Sequence, residues 1–125
     1  MTNFCNLYLT CADKKEADKI ARALLKKRLV ACVHKVPITS DFLWQGEAQY
    51  DSAEPSIALA KEGKIKSSKE VLLQMDSRED LFDQVEREVA KLHSYDTFVL
   101  QAVPVSRISK KAQQWLEKKL KNVNK

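Results

Sequence analysis

A chain of 125 residues is long enough for one domain with its own core, and 1–125 reads as a single domain. Its 44% apolar and 31% charged residues exclude a disordered or low-complexity chain, and no apolar run nears the ~20 residues of a membrane span. The formal charge of +5 is unevenly placed: residues 106–125 carry seven Lys/Arg and one Asp/Glu, a net of +6 that leaves −1 for the rest.

The basicity therefore belongs to the C-terminal segment, and nucleic acid is not an expected partner. Cys5, Cys11 and Cys32 make an odd count without a CxxC pair, which suits a reducing compartment. The N-terminus shows no basic segment followed by an apolar stretch, so a cytoplasmic protein with no membrane association is expected.

In chain order, Asn3 to Thr10 alternates as a first strand, with Cys5, Leu7 and Leu9 on one face. Asp13, with Glu16 three residues on, forms a capping-box pattern at the start of a helix. Ala17, Ile20, Ala21 and Leu24 recur along that helix at the spacing of one buried stripe. Next comes an unusually long strand from Leu29 to Gly46, with Val36, Ile38, Phe42 and Trp44 in one parity. Pro37 lacks a backbone donor and predicts a bulge or bend there. A straight strand of this length would span about 55 Å. A domain of this size is only roughly 35 Å across. Phe42, Leu43 and Trp44 are therefore predicted to meet another chain.

Residues 47–68 read as a lengthened hairpin connection, in which the preferred reading is a short helix from Ser52 that ends before Gly63, and the alternation of Ile57 and Leu59 fits an extension of the hairpin equally. Glu70 to Met75 is a compact apolar strand. Ser77 is predicted to start a second helix, with Leu81, Phe82, Val85, Val89 and Leu92 as its buried stripe. Phe98 to Val105 forms the fourth strand. A basic C-terminal helix is expected within 106–125, with Ile108, Ala112, Trp115, Leu116 and Val123 on one side. The order β-α-β-β-α-β predicts an α+β, ferredoxin-like antiparallel sheet with an added C-terminal helix.

Chemistry is sparse at this level. The two glycines, Gly46 and Gly63, cannot make a phosphate cradle of the nucleotide-binding type. Cys32 and His34 lie on one strand face about 7 Å apart at Cα. That separation reads as too loose for a dyad, with Cys32 a small buried cysteine and His34 a solvent or interface histidine. His93 falls at the end of the second helix, where an imidazole suits the last carbonyls. As a lone imidazole it is also a candidate metal ligand.

The series Thr10-Cys-Ala-Asp13, Leu29-Val-Ala-Cys-Val33, Phe42-Leu-Trp-Gln-Gly46, Arg78-Glu-Asp-Leu-Phe82, Leu92-His-Ser-Tyr95 and Val103-Pro-Val105 resembles the CutA divalent-cation tolerance family. The resemblance implies a ferredoxin-like subunit in a homotrimer whose long strands pair across subunits, with Phe42, Leu43 and Trp44 at the interface. It further implies a non-enzymatic role in the response to divalent metal ions, with copper or another divalent cation as the ligand. Some members of the family bind copper through a cysteine and two adjacent histidines; the cysteine and the first histidine fall on Leu9 and Leu92 here, and only the second histidine remains, as His93. Cys11 is offset by two residues and is expected to need a register change to take part. Asp76-Ser77 stands where the family has Lys-Thr, and Ser94 where it has proline. A second reading is a regulatory trimer that binds small molecules in clefts between subunits, with Tyr95 and Trp44 as cleft residues.

Overall fold

The computed structural model describes residues 2–44 and 64–122. Strand β1 (Phe4–Cys11) leads to helix α1 (Lys14–Lys26), then to the long strands β2 (Cys32–Trp44) and β3 (Lys64–Arg78). A 3-10 turn (Glu79–Leu81) feeds helix α2 (Phe82–Leu92), followed by β4 (Leu100–Pro104) and α3 (Lys110–Lys119). The strands form one antiparallel sheet in the order β2-β3-β1-β4, the ferredoxin-like arrangement expected from the element order. The chain divides into two compact units, Met1–Pro37 with Glu70–Lys125, and Ile38–Lys69. The second unit holds the later part of β2 and the start of β3, where the Ser67 hydroxyl donates to the Asp41 carboxylate.

In the first unit the core follows the strand alternation. Cys5, Leu7, Leu9 and Cys11 of β1 and Val71, Leu73, Met75 and Ser77 of β3 are buried on one face. They pack with Ala17, Ile20 and Leu24 of α1 and Val85 and Val89 of α2. Asp13 caps α1 by accepting the Glu16 N–H at 2.9 Å, as the capping-box pattern predicts. Beyond α1, the Leu29 and Arg28 amides donate back to Leu24 and Leu25 at 3.0 Å each, the paired bonds of a Schellman ending. Arg28 holds the left-handed position of that motif at φ 58, which glycine usually fills.

This helix ending corrects the predicted strand from Leu29. Leu29 and Val30 are core residues of the turn, and β2 starts only at Cys32. Pro37 does not break β2. It lies in an edge strand of the sheet, where a missing donor is tolerated.

The predicted helix start at Ser77 is also corrected. β3 runs on to Arg78 because Ser77 pairs with Cys5 of β1, and its hydroxyl donates to the Leu29 carbonyl at 2.6 Å. The helix begins after the 3-10 turn, at Phe82. β3 likewise begins at Lys64, so residues 64–68 are strand and not connection. The short helix predicted from Ser52 lies outside the described residues.

β4 is shorter than predicted, and α3 spans only Lys110–Lys119 of the expected 106–125. Leu116 and Leu120 anchor this end, whereas Trp115 is 44% exposed and does not join the buried stripe.

Candidate functional site

The end of α2, the end of β1 and the start of α1 meet at His93. The backbone N–H of His93 closes α2 onto the Val89 carbonyl at 2.8 Å. Its side chain does not cap that helix, as the sequence suggested, but crosses to β1. There Nε2 lies 2.8 Å from the Thr10 carbonyl, while Nδ1 receives the Tyr95 N–H at 3.0 Å. A carbonyl only accepts and an amide N–H only donates, so Nε2 carries the proton and Nδ1 the lone pair. The His93 side chain is fully buried, stacked on the Phe98 ring at 5.3 Å and tilted against the Tyr95 ring at 4.9 Å.

Glu16 ties the same three segments together. Its carboxylate accepts the Ala12 N–H at 2.8 Å and the Ser94 N–H at 2.6 Å, and one oxygen lies 3.7 Å from His93 Nδ1. Burial opposes the charge of Glu16, but the hydrogen bonds from Ala12 and Ser94 outweigh it and hold the carboxyl below the usual carboxylate range. The Cys11 sulfur completes the group, and the ligand atoms of Cys11, Glu16 and His93 all lie within 4.8 Å of one another. Burial, reinforced by Glu16, Asp13 and Glu70, pushes the Cys11 thiol up to about 12. A cation here would have to displace the thiol proton, and it would have to take Nδ1 from the Tyr95 amide.

No register change is needed to bring Cys11 to His93, contrary to the expectation from the offset. Cys11 follows Leu9 by two residues on the same buried strand face, one pleat nearer the loop. Leu9 is fully buried and Leu92 packs against the core, so both side chains serve packing here.

Tyr95, the proposed cleft residue, points its hydroxyl at the Glu70 carboxylate and donates to it. Burial and this bond raise the Tyr95 phenol well above its ordinary value. Phe42 and Leu43 lie on β2 at 37% and 64% exposure. Trp44 closes β2, and its proposed cleft and interface roles rest on a side chain outside the described residues.

Sequence reasoning treated Glu16 as a cap only and assigned Glu70 no role. The signal for Glu70 was its charge at the head of an apolar strand, since a carboxylate entering a core needs a partner. Cys32 and His34 are closer than the Cα spacing implied. Rotation toward one another brings Cys32 Sγ to 3.7 Å from His34 Nε2, with Asp76 beside them. Cys32 is also only half-buried.

The sheet order and the helices over one face define a ferredoxin-like α+β fold. The family model described as CutA1 divalent ion tolerance protein matches residues 5–59 and 56–119, so this chain belongs to the CutA1 family. It is 34% identical over 117 residues to the divalent-cation tolerance protein CutA of Archaeoglobus fulgidus, covering 94% of this chain and 96% of the relative. Protein CutA of Homo sapiens is 30% identical over 118 residues, and there the match spans 94% of this chain but 56% of the human protein.

A solved structure described as the periplasmic divalent cation tolerance protein CutA from Archaeoglobus fulgidus superposes with a TM-score of 0.78 at 31% identity, covering 94% of this chain and 99% of that one. CutA1 from Oryza sativa gives a TM-score of 0.78 at 27% identity, covering 94% of each chain.

Proposed function

We propose that this chain is a non-enzymatic subunit of a homotrimer that serves tolerance of divalent metal ions in the cytoplasm. The observation that carries this reading is the match of the CutA1 family model over most of the chain, in relatives described as divalent-cation tolerance proteins. The assembly is supported by β2, a 13-residue edge strand. Among the described residues it has one neighbouring strand, and Phe42 and Leu43 are exposed on it, a combination that favours pairing with another chain. Among the described residues no helix is long and apolar enough to cross a membrane.

Within this role, copper or another divalent cation contacts His93 through Nδ1, with Cys11 and Glu16 as the neighbouring donors. Binding there is weak, because the cation competes with the Tyr95 amide and with the Cys11 proton. Two measurements test the reading. Sedimentation equilibrium is expected to give three times the chain mass, and a stable monomer overturns the assembly. Copper titration by calorimetry is expected to lose heat in His93→Ala, and an unchanged isotherm removes His93 as a ligand.

A further inference from the structure

We propose that Cys32, His34 and Asp76 form a second binding site, for a borderline-soft divalent cation of the zinc class. It lies on the sheet face opposite the helices and is separate from the His93 pocket. The strand alternation places the three together. On β3, Met75 and Ser77 point into the core, so Asp76 faces the other way. On β2, Val33 packs against the core, so Cys32 and His34 share the outer face. The two strands are neighbours in the sheet, and the Ala31 amide donates to the Asp76 carbonyl at 2.9 Å, which holds Cys32 beside Asp76.

The distances suit a metal. Cys32 Sγ and His34 Nε2 are 3.7 Å apart. A tetrahedral ion with a sulfur at about 2.3 Å and a nitrogen at about 2.05 Å separates those two atoms by about 3.6 Å. The donor atoms of Cys32, His34 and Asp76 lie within 4.8 Å of one another, so side-chain rotation without strand movement closes the set. Three protein ligands leave a fourth position for water or an exchanging ligand. Competition at this site differs from that at His93, because the contact to be given up is one between two of the ligands themselves. Among the described residues, the only hydrogen-bond contact among these three side chains is the one between Cys32 and His34.

The donor set selects the ion. A thiolate disfavours the hard cations Mg²⁺ and Ca²⁺, while imidazole and thiolate together suit Zn²⁺ and its neighbours. On binding, the Cys32 S–H bond breaks and its proton goes to solvent as the S–metal bond forms. His34 supplies the Nε2 lone pair and Asp76 a carboxylate oxygen. One proton leaves per ion, and the two negative ligands balance the dication.

Cobalt(II) is the probe, added to the reduced full-length protein, with zinc as competitor. The expected result is a thiolate-to-cobalt charge-transfer absorption at one cobalt per chain, bleached by zinc. Cys32→Ser abolishes the band, while His34→Ala and Asp76→Asn each weaken cobalt binding at least tenfold. His34→Ala replaces an exposed side chain and is expected to keep the metal-free melting temperature, which separates lost binding from lost folding. His93→Ala leaves the band in place. Absence of the band in the wild type overturns the proposal, as does a band that survives Cys32→Ser and disappears in Cys11→Ala. All three ligands come from one chain, so a monomer in the sedimentation experiment would not by itself change this outcome.

Discussion

The guanidinium of Arg28 donates through Nε to the Lys119 carbonyl at 2.9 Å, joining the turn after α1 to the last turn of α3. A second nitrogen donates to the Lys118 carbonyl at 2.8 Å, and the Arg28 carbonyl in turn accepts the Lys121 N–H at 2.8 Å. Unpaired carbonyls at a helix C-terminus attract cations, and Arg28 supplies one from a residue 90 positions away. This contact explains why an arginine occupies a backbone position where glycine is easier: the side chain that costs the turn also docks the final helix.

Arg28→Ala therefore keeps the strained backbone and loses both bonds, and is expected to destabilise the fold by about 1–3 kcal/mol. Arg28→Gly loses the same bonds but relieves the left-handed position, and is expected to cost about 1 kcal/mol less. Urea unfolding of the two variants checks the order. Equal losses would show that the turn carries no strain.

Alkaline pH should destabilise the native protein through groups that fold in protonated form. Burial, then nearby Glu79 and Asp80, pushes the Cys5 thiol up to about 12, and Cys11 is raised to about 12 as well. Tyr95 is raised too, by burial and by Glu70. Above the ordinary thiol value of 9.0 the unfolded chain releases the two thiol protons, and above 10.0 the phenol proton, while the native state keeps them, so stability falls as pH rises from about 9 towards 12. Each such group contributes a slope of about 1.4 kcal/mol per pH unit in that window. Melting temperatures between pH 8 and 11 are expected to fall less steeply in Cys5→Ala and Cys11→Ala than in wild type.

At the acid end the sign reverses for Glu16. Its carboxyl is held below the unfolded value of 4.5, so its contribution is complete above that pH and is lost as pH falls through the native value. Glu16→Gln is expected to cost about 1–2 kcal/mol at pH 7, and the difference from wild type should shrink below about pH 4.5. Chemical denaturation at pH 7 and pH 3 measures it. A constant difference would mean that Glu16 acts by shape alone.

The exposed end of β2 gives a fourth expectation, on assembly. Leu43 is 64% exposed, so Leu43→Asp should leave the chain folded while weakening the association proposed for β2. Sedimentation velocity is expected to show a shift toward smaller species, with an unchanged far-UV circular dichroism spectrum. An undiminished assembly would place the interface elsewhere.

Much of this protein is legible in its sequence because much of it is local. The alternation of Cys5, Leu7 and Leu9, the cap at Asp13 and the stripe through Val85 and Val89 each depend on neighbours within a strand or a helical turn. Their order sufficed for the ferredoxin-like fold, and the motif series sufficed for the family. Element boundaries were less accessible. Ser77 has the character of a helix cap, yet pairing with Cys5 and a bond to Leu29 hold it in a strand.

The sites depended most on tertiary structure. His93 was visible as an isolated histidine, but the partners that take both its nitrogens come from Thr10, 83 residues earlier, and from Tyr95. Cys32 and His34 were visible as a pair, but Asp76 reaches them only because β2 and β3 lie side by side. Periodicity reports which face of an element is apolar. It carries no information on which polar groups from distant segments are brought within bonding distance, and only chain packing decides that.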